Sequence, residues 1–201
     1  MTSKTFELTQ KMDIKAIETQ MALRCAPLIL GLKTSNLLSV SDDQAIRVPQ
    51  LLQHSQMKSY LLFQGKQNVQ KDAKAVFLLY RLKPLCNHLA DRSVQELLLQ
   101  FGYCDFSMDG LLTRFALRYA ACMCNKAQFP HEMGIFLGYP TEDVRGFIEN
   151  KGKNFLCAGY WKVYANAAQK RRLFQYFDRA SELLVKLLAQ GVCIEDVLAC
   201  A

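Results

Sequence analysis

The sequence predicts an α+β protein, in which about four strands form a mainly antiparallel or mixed sheet and pack against about five or six helices. Two observations support this fold class. Apolar residues recur at helical spacing in several segments, and short blocks rich in β-branched and aromatic residues lie between those segments. The helical and strand-like segments do not alternate regularly, which favours a layered α+β domain over a parallel sheet with crossover helices.

The length and composition of the chain predict one globular domain over residues 1–201. Of the 201 residues, 51% are hydrophobic and 21% are charged, which is a typical balance for a protein with a hydrophobic core. No linker is long or polar enough to separate two domains, although the polar stretch 41–72 is predicted as a surface excursion. Residues 192–201 are predicted as a short C-terminal tail or helix.

The N-terminal part of the chain predicts one helix and one strand. Residues 13–24 place apolar side chains three and four positions apart, as in an amphipathic helix, and Pro27 prevents a simple continuation of that helix. The apolar run at 28–40 is interrupted by Gly31, so it predicts a buried strand with a kink.

The middle of the chain predicts a strand followed by two helices. Residues 75–81 form a short β-prone block of aliphatic and aromatic side chains, which predicts a strand. The segments 91–101 and 109–124 each carry an apolar stripe at helical spacing and are predicted as helices, with a turn between them.

The last third of the chain predicts two more strands, each followed by a helix. The first strand is predicted over 133–139, and the helix after it has Thr141 as its N-cap and ends at Gly152. The aromatic segment 156–165 predicts the second strand, and the apolar stripe along 173–190 predicts a long helix.

The sequence argues against a membrane protein and against a secreted one. It contains no apolar run of the ~18 residues that a membrane span needs, and no apolar segment follows the first lysine as in a secretory signal. We therefore expect a cytoplasmic protein with no membrane span. The eight cysteines are spread over the whole chain, so they are predicted to be reduced thiols rather than a disulfide framework.

Three motifs resemble those of a known family. Residues 131–152 read HEMGIFLGYPTEDVRGFIENKG, residues 25–27 read CAP, and residues 157–164 read CAGYWKVY. Together they resemble the bacterial family called domain of unknown function 3793, over nearly the whole chain. The chain has Leu28 where the family usually has threonine and Thr34 where it often has proline. The resemblance implies a bacterial cytosolic protein and names no reaction.

The clustering of glycine, proline and ionisable residues predicts a binding site for a small ligand or a partner. The site is predicted to be formed by the segments Cys25–Lys33 and His131–Tyr139. A small anionic ligand is favoured because the glycines lie at positions where the backbone could approach it; a protein partner is kept as an alternative, and the identity of any cofactor stays open. The predicted ligand-binding residues are Lys33, Gly134, Tyr139, Trp161 and Lys162.

An alternative hypothesis is a thiol-dependent hydrolase or transferase. Cys25 would be its nucleophile and His131 its base, with Glu132 or Asp143 orienting the imidazole. Against this, no known nucleophile signature surrounds Cys25, and the predicted helix places it at a C-terminal end, where the helix dipole opposes a thiolate. A buried cysteine that packs as a small apolar side chain is the commoner outcome.

The sequence predicts no metal site. A zinc protease motif would need a histidine four residues after His131, and position 135 is isoleucine. The spacing of Cys122 and Cys124 on a helix directs the two thiols apart, and no second pair lies at zinc-finger distance. The cysteines to consider for a transition metal or an iron–sulfur cluster are Cys104, Cys122, Cys124 and Cys157.

Nucleic-acid binding is not favoured, although the formal net charge is +7. The densest basic run, residues 170–172, begins a helix whose opposite face is apolar, which is typical of a solvated helix face. The aromatic residues Tyr139, Tyr160, Trp161 and Tyr164 could line a pocket for a flat cofactor, but packing under helices is the commoner role. A structural or regulatory interaction protein without a small-molecule site is the third functional class.

Overall fold

The computed structural model describes residues 8, 10, 12–66 and 73–200. It divides the chain into two compact units: the first holds residues up to Leu82 and from Gln175 onward, and the second holds Lys83–Phe174. The single domain that the sequence predicts over the whole chain stays a prediction. Residues 67–72 of the predicted surface excursion, and residue 201 of the predicted C-terminal segment, lie outside the described residues.

The described residues contain a mixture of helices and strands, which confirms the predicted fold class. The helices are α1 (Ile17–Arg24), α2 (Ala26–Ile29), α3 (Arg47–Leu51), α4 (Leu82–Leu89), α5 (Arg92–Gln100), α6 (Met108–Met123), α7 (Met133–Phe136), α8 (Thr141–Glu149), α9 (Ala167–Ala189) and α10 (Ile194–Ala199). The strands are β1 (Ser35–Ser41), β2 (Met57–Gly65), β3 (Lys74–Arg81), β4 (Cys157–Ala158) and β5 (Lys162–Val163). A 3₁₀ helix covers Asp42–Gln44. Helices outnumber the prediction because α2, α3, α7 and α10 are only one or two turns long, too short to show an apolar period.

The first unit is built around a three-stranded antiparallel sheet in the order β1-β3-β2. Phe77 of the central strand pairs with Leu38 on β1 and with Leu61 on β2, and β2 carries a bulge between Leu61 and Phe63. The hydrophobic core of this unit joins the sheet to α1 and to the second half of α9, through residues such as Met21, Leu38, Leu79, Ala180 and Leu184. Six consecutive residues of β3, 75–80, are buried, as in a strand that is covered on both faces.

The second unit packs helices α4 to α8 with the short antiparallel hairpin of β4 and β5. Phe136 stacks on Phe115 with ring centroids 4.3 Å apart, and Tyr103 lies 5.8 Å from Phe136, so these rings hold α7 in the core. His88 Nε2–H donates to the carbonyl of Ile135 at 3.0 Å and fixes α4 against α7. Among the described residues, none of the helices combines the length and the apolar character that crossing a bilayer requires.

Several predicted elements agree with the structure. The strand predicted over 75–81 is β3, and the helices predicted over 91–101 and 109–124 are α5 and α6. The helix predicted from Thr141 is α8, although its N-cap residue is Pro140 and Thr141 is its first helical residue. The long helix predicted over 173–190 is α9, which begins at Ala167.

One predicted strand is wrong, and the first part of another is wrong, for the same physical reason. The segment 133–139 forms the short helix α7, and the segment 28–40 begins with the end of α2 before β1 starts at Ser35. Each of these helices ends in a glycine with positive φ, Gly31 at 72° and Gly138 at 71°. The backbone amide of Leu32 donates to the carbonyl of Pro27 at 2.8 Å, and the backbone amide of Tyr139 donates to the carbonyl of Gly134 at 2.9 Å. This is the hydrogen-bond pattern of a Schellman motif, so the glycines end helices and do not kink strands.

The remaining differences are helix α4 (Leu82–Leu89), for which the sequence predicts no element, and the following segments. The predicted strand 156–165 is instead a hairpin of two-residue strands, and Gly159 N donates to the carbonyl of Trp161 at 3.1 Å across its turn. The polar stretch 41–72, for which the sequence predicts no element, contains strand β2. Buried and exposed residues do not alternate regularly along β2, so its sequence lacks the period of two that identifies a strand. Within the predicted C-terminal segment, Ile194–Ala199 forms helix α10.

Candidate functional site

The second unit contains a pocket of about 240 Å³ at the motif segment 131–152. Helices α7 and α8 and the β4–β5 hairpin contribute to its wall. Its lining residues are Phe129, His131, Met133, Gly134, Tyr139, Asp143, Val144, Phe147, Tyr160, Trp161 and Lys162. Most of these side chains are aromatic or aliphatic, which is typical of a small-molecule site.

Trp161 forms a rigid wall of the pocket. Its indole stacks on the ring of Tyr139, with centroids 4.6 Å apart and planes 25° apart. The ring of Phe174 meets the indole edge-on at 4.6 Å and 89°. Trp161 is only 9% exposed, and its Nε1–H donates to Asp143 Oδ2 at 2.8 Å. These ring contacts and the hydrogen bond at its polar edge hold the indole in one orientation.

Asp143 is the polar centre of this region and is 2% exposed. Its Oδ1 accepts hydrogen bonds from the backbone amides of Tyr164 at 2.7 Å and Ala165 at 3.1 Å. Its Oδ2, which accepts from Trp161, also lies 3.8 Å from Lys170 Nζ. Because both oxygens already face donors, the carboxylate fastens the chain after β5 to the first turn of α8.

Lys170 compensates the charge of two acidic side chains at the start of α8. It is 6% exposed, and its Nζ donates to Glu142 Oε1 at 2.8 Å in addition to its approach to Asp143. Burial raises the pKa of Glu142, but the hydrogen bond and the charge of Lys170 outweigh burial, so the pKa of Glu142 is lower than usual. The basic run at 170–172 therefore begins with a buried structural lysine.

Gly134 allows α7 and α8 to approach each other beside the pocket. A Cβ atom at Gly134 would lie 2.9 Å from Cγ2 of Val144 and 3.2 Å from Cδ2 of Tyr139. Both distances are shorter than ordinary van der Waals contact. Gly134 thus has a packing role at the position where the sequence predicts contact with a ligand.

Lys162 lies on the Phe147 side of the pocket. Its Nζ donates to the carbonyl of Gly152 at 2.7 Å, and it lies 5.0 Å from the ring centroid of Phe155 and 5.8 Å from that of Phe147. The two rings provide cation–π contacts for the ammonium group. The side chain is half-buried, so the charge is held in place without being closed off from the pocket.

His131 and Glu132 are neighbours in sequence and have different surroundings. His131 is exposed and lies between the rings of Phe129 and Phe147, with centroids at 5.7 and 5.6 Å. Glu132 is completely buried, and its carboxylate accepts hydrogen bonds from Arg118 and from the hydroxyl of Tyr103. Burial, and then the charge of Glu132, raise the pKa of Tyr103. The buried Glu132 carboxylate is thus engaged in an ion pair with the partly exposed Arg118.

Cys25 and Lys33 lie in the first unit, around Asn36. The amide Nδ2 of Asn36 donates to Cys25 Sγ at 3.6 Å, and Lys33 Nζ donates to Asn36 Oδ1 at 2.7 Å. Cys25 is fully buried, and burial raises its pKa to about 11 despite the opposing effects of Asn36 and Lys33. Burial also lowers the pKa of Lys33 to about 8. The thiol is therefore protonated at neutral pH, which does not favour nucleophilic attack.

The residues that the sequence singles out are divided between the two units. His131, Gly134, Tyr139, Trp161 and Lys162 line the pocket of the second unit. Cys25 and Lys33 belong to the first unit, so a site shared by the segments Cys25–Lys33 and His131–Tyr139 stays a prediction. All eight cysteines are free, and the described part of the chain holds no group of three His, Cys, Asp or Glu side chains arranged for a metal ion.

Sequence reasoning missed the aromatic residues Phe129 and Phe147 and the central role of Asp143. Phe147 could have been found, because it lies one turn after Asp143 on the apolar stripe of the same helix. The role of Asp143 depends on Trp161, Tyr164 and Lys170, which are 18 to 27 residues further along the chain. No local pattern indicates those partners.

A family model described as "Protein of unknown function (DUF3793)" matches residues 21–198. The chain belongs to this family. The match to DUF3793 includes the whole pocket of the second unit as well as Cys25, Lys33 and Asn36 of the first. No curated protein and no solved structure matches the chain. The DUF3793 match confirms the resemblance that the three motifs indicate, and the chemistry of the site has to be argued from its geometry.

Proposed function

We propose that this protein binds a small, flat and largely apolar molecule in the pocket of the second unit. The observation that carries the proposal is the indole of Trp161, which lines the pocket and is held by Tyr139, Phe174 and Asp143. A binding surface that is already rigid loses little conformational entropy when a ligand arrives. Side chains that served only to fill a core would be expected to leave no such cavity.

The size of the pocket limits the ligand. A dry cavity of about 150 Å³ is enough to hold benzene, and this pocket measures about 240 Å³. It is smaller than the roughly 300–1,000 Å³ of sites for drug-sized molecules. A single substituted ring or a compact bicyclic ring is therefore the class of ligand that we expect.

The alternative of a thiol-dependent enzyme receives less support. Cys25 is buried with a raised pKa, and Glu132 is engaged by Arg118 and Tyr103, so neither residue is prepared for the role that this alternative assigns to it. Binding, rather than covalent catalysis, is thus the function that we propose, in a protein whose bacterial origin and cytoplasmic location are predicted from sequence.

Ligand-observed NMR on a set of single-ring and two-ring compounds tests the proposal. Val144→Phe would fill the pocket from α8, because Val144 lines it and is 5% exposed. Leu117→Phe is the matched control in the same unit, at a side chain that is 65% exposed. We expect saturation transfer to some of the rings with the wild type and with the control, and loss of transfer with Val144→Phe. Equal transfer to all three folded proteins, or to none, would contradict the proposal.

A further inference from the structure

We infer that the ligand of this pocket is an aromatic monocarboxylate, with its ring against Trp161 and its carboxylate on Lys162. The inference rests on the proposed function, since it assigns a chemical class to the molecule bound there. It depends on which charges in the pocket wall are still able to receive a ligand group.

The negative charge in the wall is already compensated. Asp143 accepts from Trp161, Tyr164 and Ala165 and lies 3.8 Å from Lys170 Nζ. A cationic ligand would have to compete with these donors for a carboxylate that is 2% exposed. The aromatic rings alone could attract a cation, but the ammonium group of Lys162 already lies near one ring of the wall, Phe147, and would repel a second cation.

The positive charge in the wall, the ammonium group of Lys162, is still able to bind a ligand carboxylate. One N–H of the Lys162 ammonium group donates to Gly152, and an ammonium group has three N–H donors. Its half-buried position reduces screening by water, so a carboxylate placed there gains a charge-assisted hydrogen bond. A single lysine matches a single negative charge, which favours a monocarboxylate over a phosphate dianion. Most of the remaining wall residues are aromatic or aliphatic and suit the ring.

The test compares three probes that share one ring: benzoate, neutral benzamide and benzylamine in its ammonium form. Trp161 is the only tryptophan of the chain, so its fluorescence reports on the pocket wall directly. Dissociation constants are measured at neutral pH for the wild type, for Lys162→Met and for Lys162→Arg, which keeps the charge. Lys153→Met is the control at an exposed lysine of the same unit.

Benzoate is expected to bind about tenfold more tightly than benzamide to the wild type, to Lys162→Arg and to Lys153→Met, with benzylamine the weakest. Added salt should weaken the binding of benzoate and leave that of benzamide unchanged. Lys162→Met should bind benzoate and benzamide equally. If benzamide or benzylamine binds the wild type as tightly as benzoate, the inference is wrong and the proposed function stands. If no probe changes the emission of Trp161, the inference and the proposed function are both wrong. The comparison of the three probes on the wild type and its salt dependence test the inference even if Lys162→Met does not fold.

Discussion

The indole Nε1–H of Trp161 donates to the buried carboxylate of Asp143 at 2.8 Å, and this hydrogen bond joins the β4–β5 hairpin to the first turn of α8. The same carboxylate accepts from the backbone amides of Tyr164 and Ala165, so one side chain orders both the pocket wall and the chain that leads into α9. The organisation of the pocket therefore depends on a single buried acid.

Replacing Asp143 by asparagine should destabilise the protein by about 2–4 kcal/mol. An amide can accept on one atom only, so either the Trp161 indole or the backbone amides lose their acceptor. Lys170, which is 6% exposed, would also lose part of its charge compensation. Urea unfolding followed by circular dichroism measures the loss.

Glu142→Gln is the matched control for Asp143→Asn, because Glu142 is the adjacent acid and also contacts Lys170. The side chain of Glu142 is 44% exposed, so its loss should cost less than about 1 kcal/mol. Equal losses for the two variants would show that Asp143 contributes no more than a partly exposed ion pair.

Mutation of Glu132 should cost far more stability than mutation of its neighbour His131. Glu132→Gln leaves Arg118 without a buried counter-charge and should lower the free energy of unfolding by about 2–3 kcal/mol. His131→Gln, at an exposed side chain, should change it by less than about 0.5 kcal/mol. Thermal or urea unfolding of the two variants tests this. A small effect of Glu132→Gln would mean that the ion pair with Arg118 is not structural.

Gly146→Ala should destabilise the protein although alanine favours a helix. The new Cβ would lie 2.4 Å from Cγ and 2.5 Å from Cβ of Tyr164, so the ring and the backbone that carries it must move. We expect a net loss of about 1–3 kcal/mol, measured by urea unfolding. A gain in stability, as expected for glycine to alanine in an unobstructed helix, would contradict the packing of Tyr164 on α8.

Cys25 should be the thiol that iodoacetamide labels most slowly in the native protein. Alkylation requires the thiolate, and a rise in pKa from 9.0 to about 11 lowers the thiolate fraction at neutral pH about 100-fold. Because the folded protein holds the proton more tightly, labelling should continue to accelerate between pH 9 and about pH 11. Mass spectrometry of digests, with the exposed Cys104 and Cys193 as internal references, gives the rates. Faster labelling of Cys25 than of these references would support the thiol-enzyme alternative.

Elements with a clear period could be predicted from the sequence, and short buried elements could not. The block at 75–81 is long enough and β-prone enough to identify β3, and the stripe along α6 is equally clear. The single-turn helices α2 and α7 consist of apolar residues throughout, so neither a period of two nor one of 3.6 residues distinguishes them from strands. The glycine that ends each of them was the usable signal, because a glycine after a short apolar run also predicts a Schellman motif.

The candidate site could be predicted in its residue types and not in its connections. The cluster of aromatic, basic and glycine residues in the motif segments predicts Tyr139, Trp161 and Lys162 as ligand-binding residues, and all three line the pocket. The partners of Asp143 are separated from it by a hairpin and a turn, which only the fold brings together. In the first unit, the sequence does not indicate the contact of Asn36 with Cys25, because an asparagine near a cysteine has no distinctive spacing.

The side-chain resonance of Trp161 tests the binding proposal most directly. The chain has one tryptophan, so its ¹H–¹⁵N correlation spectrum contains a single indole N–H peak, from the group that donates to Asp143. Titration with benzoate should shift this peak to saturation in the wild type and leave it in place in Val144→Phe. A peak that does not move while benzoate shifts resonances elsewhere, or that moves equally in both proteins, would contradict a ligand site at this pocket.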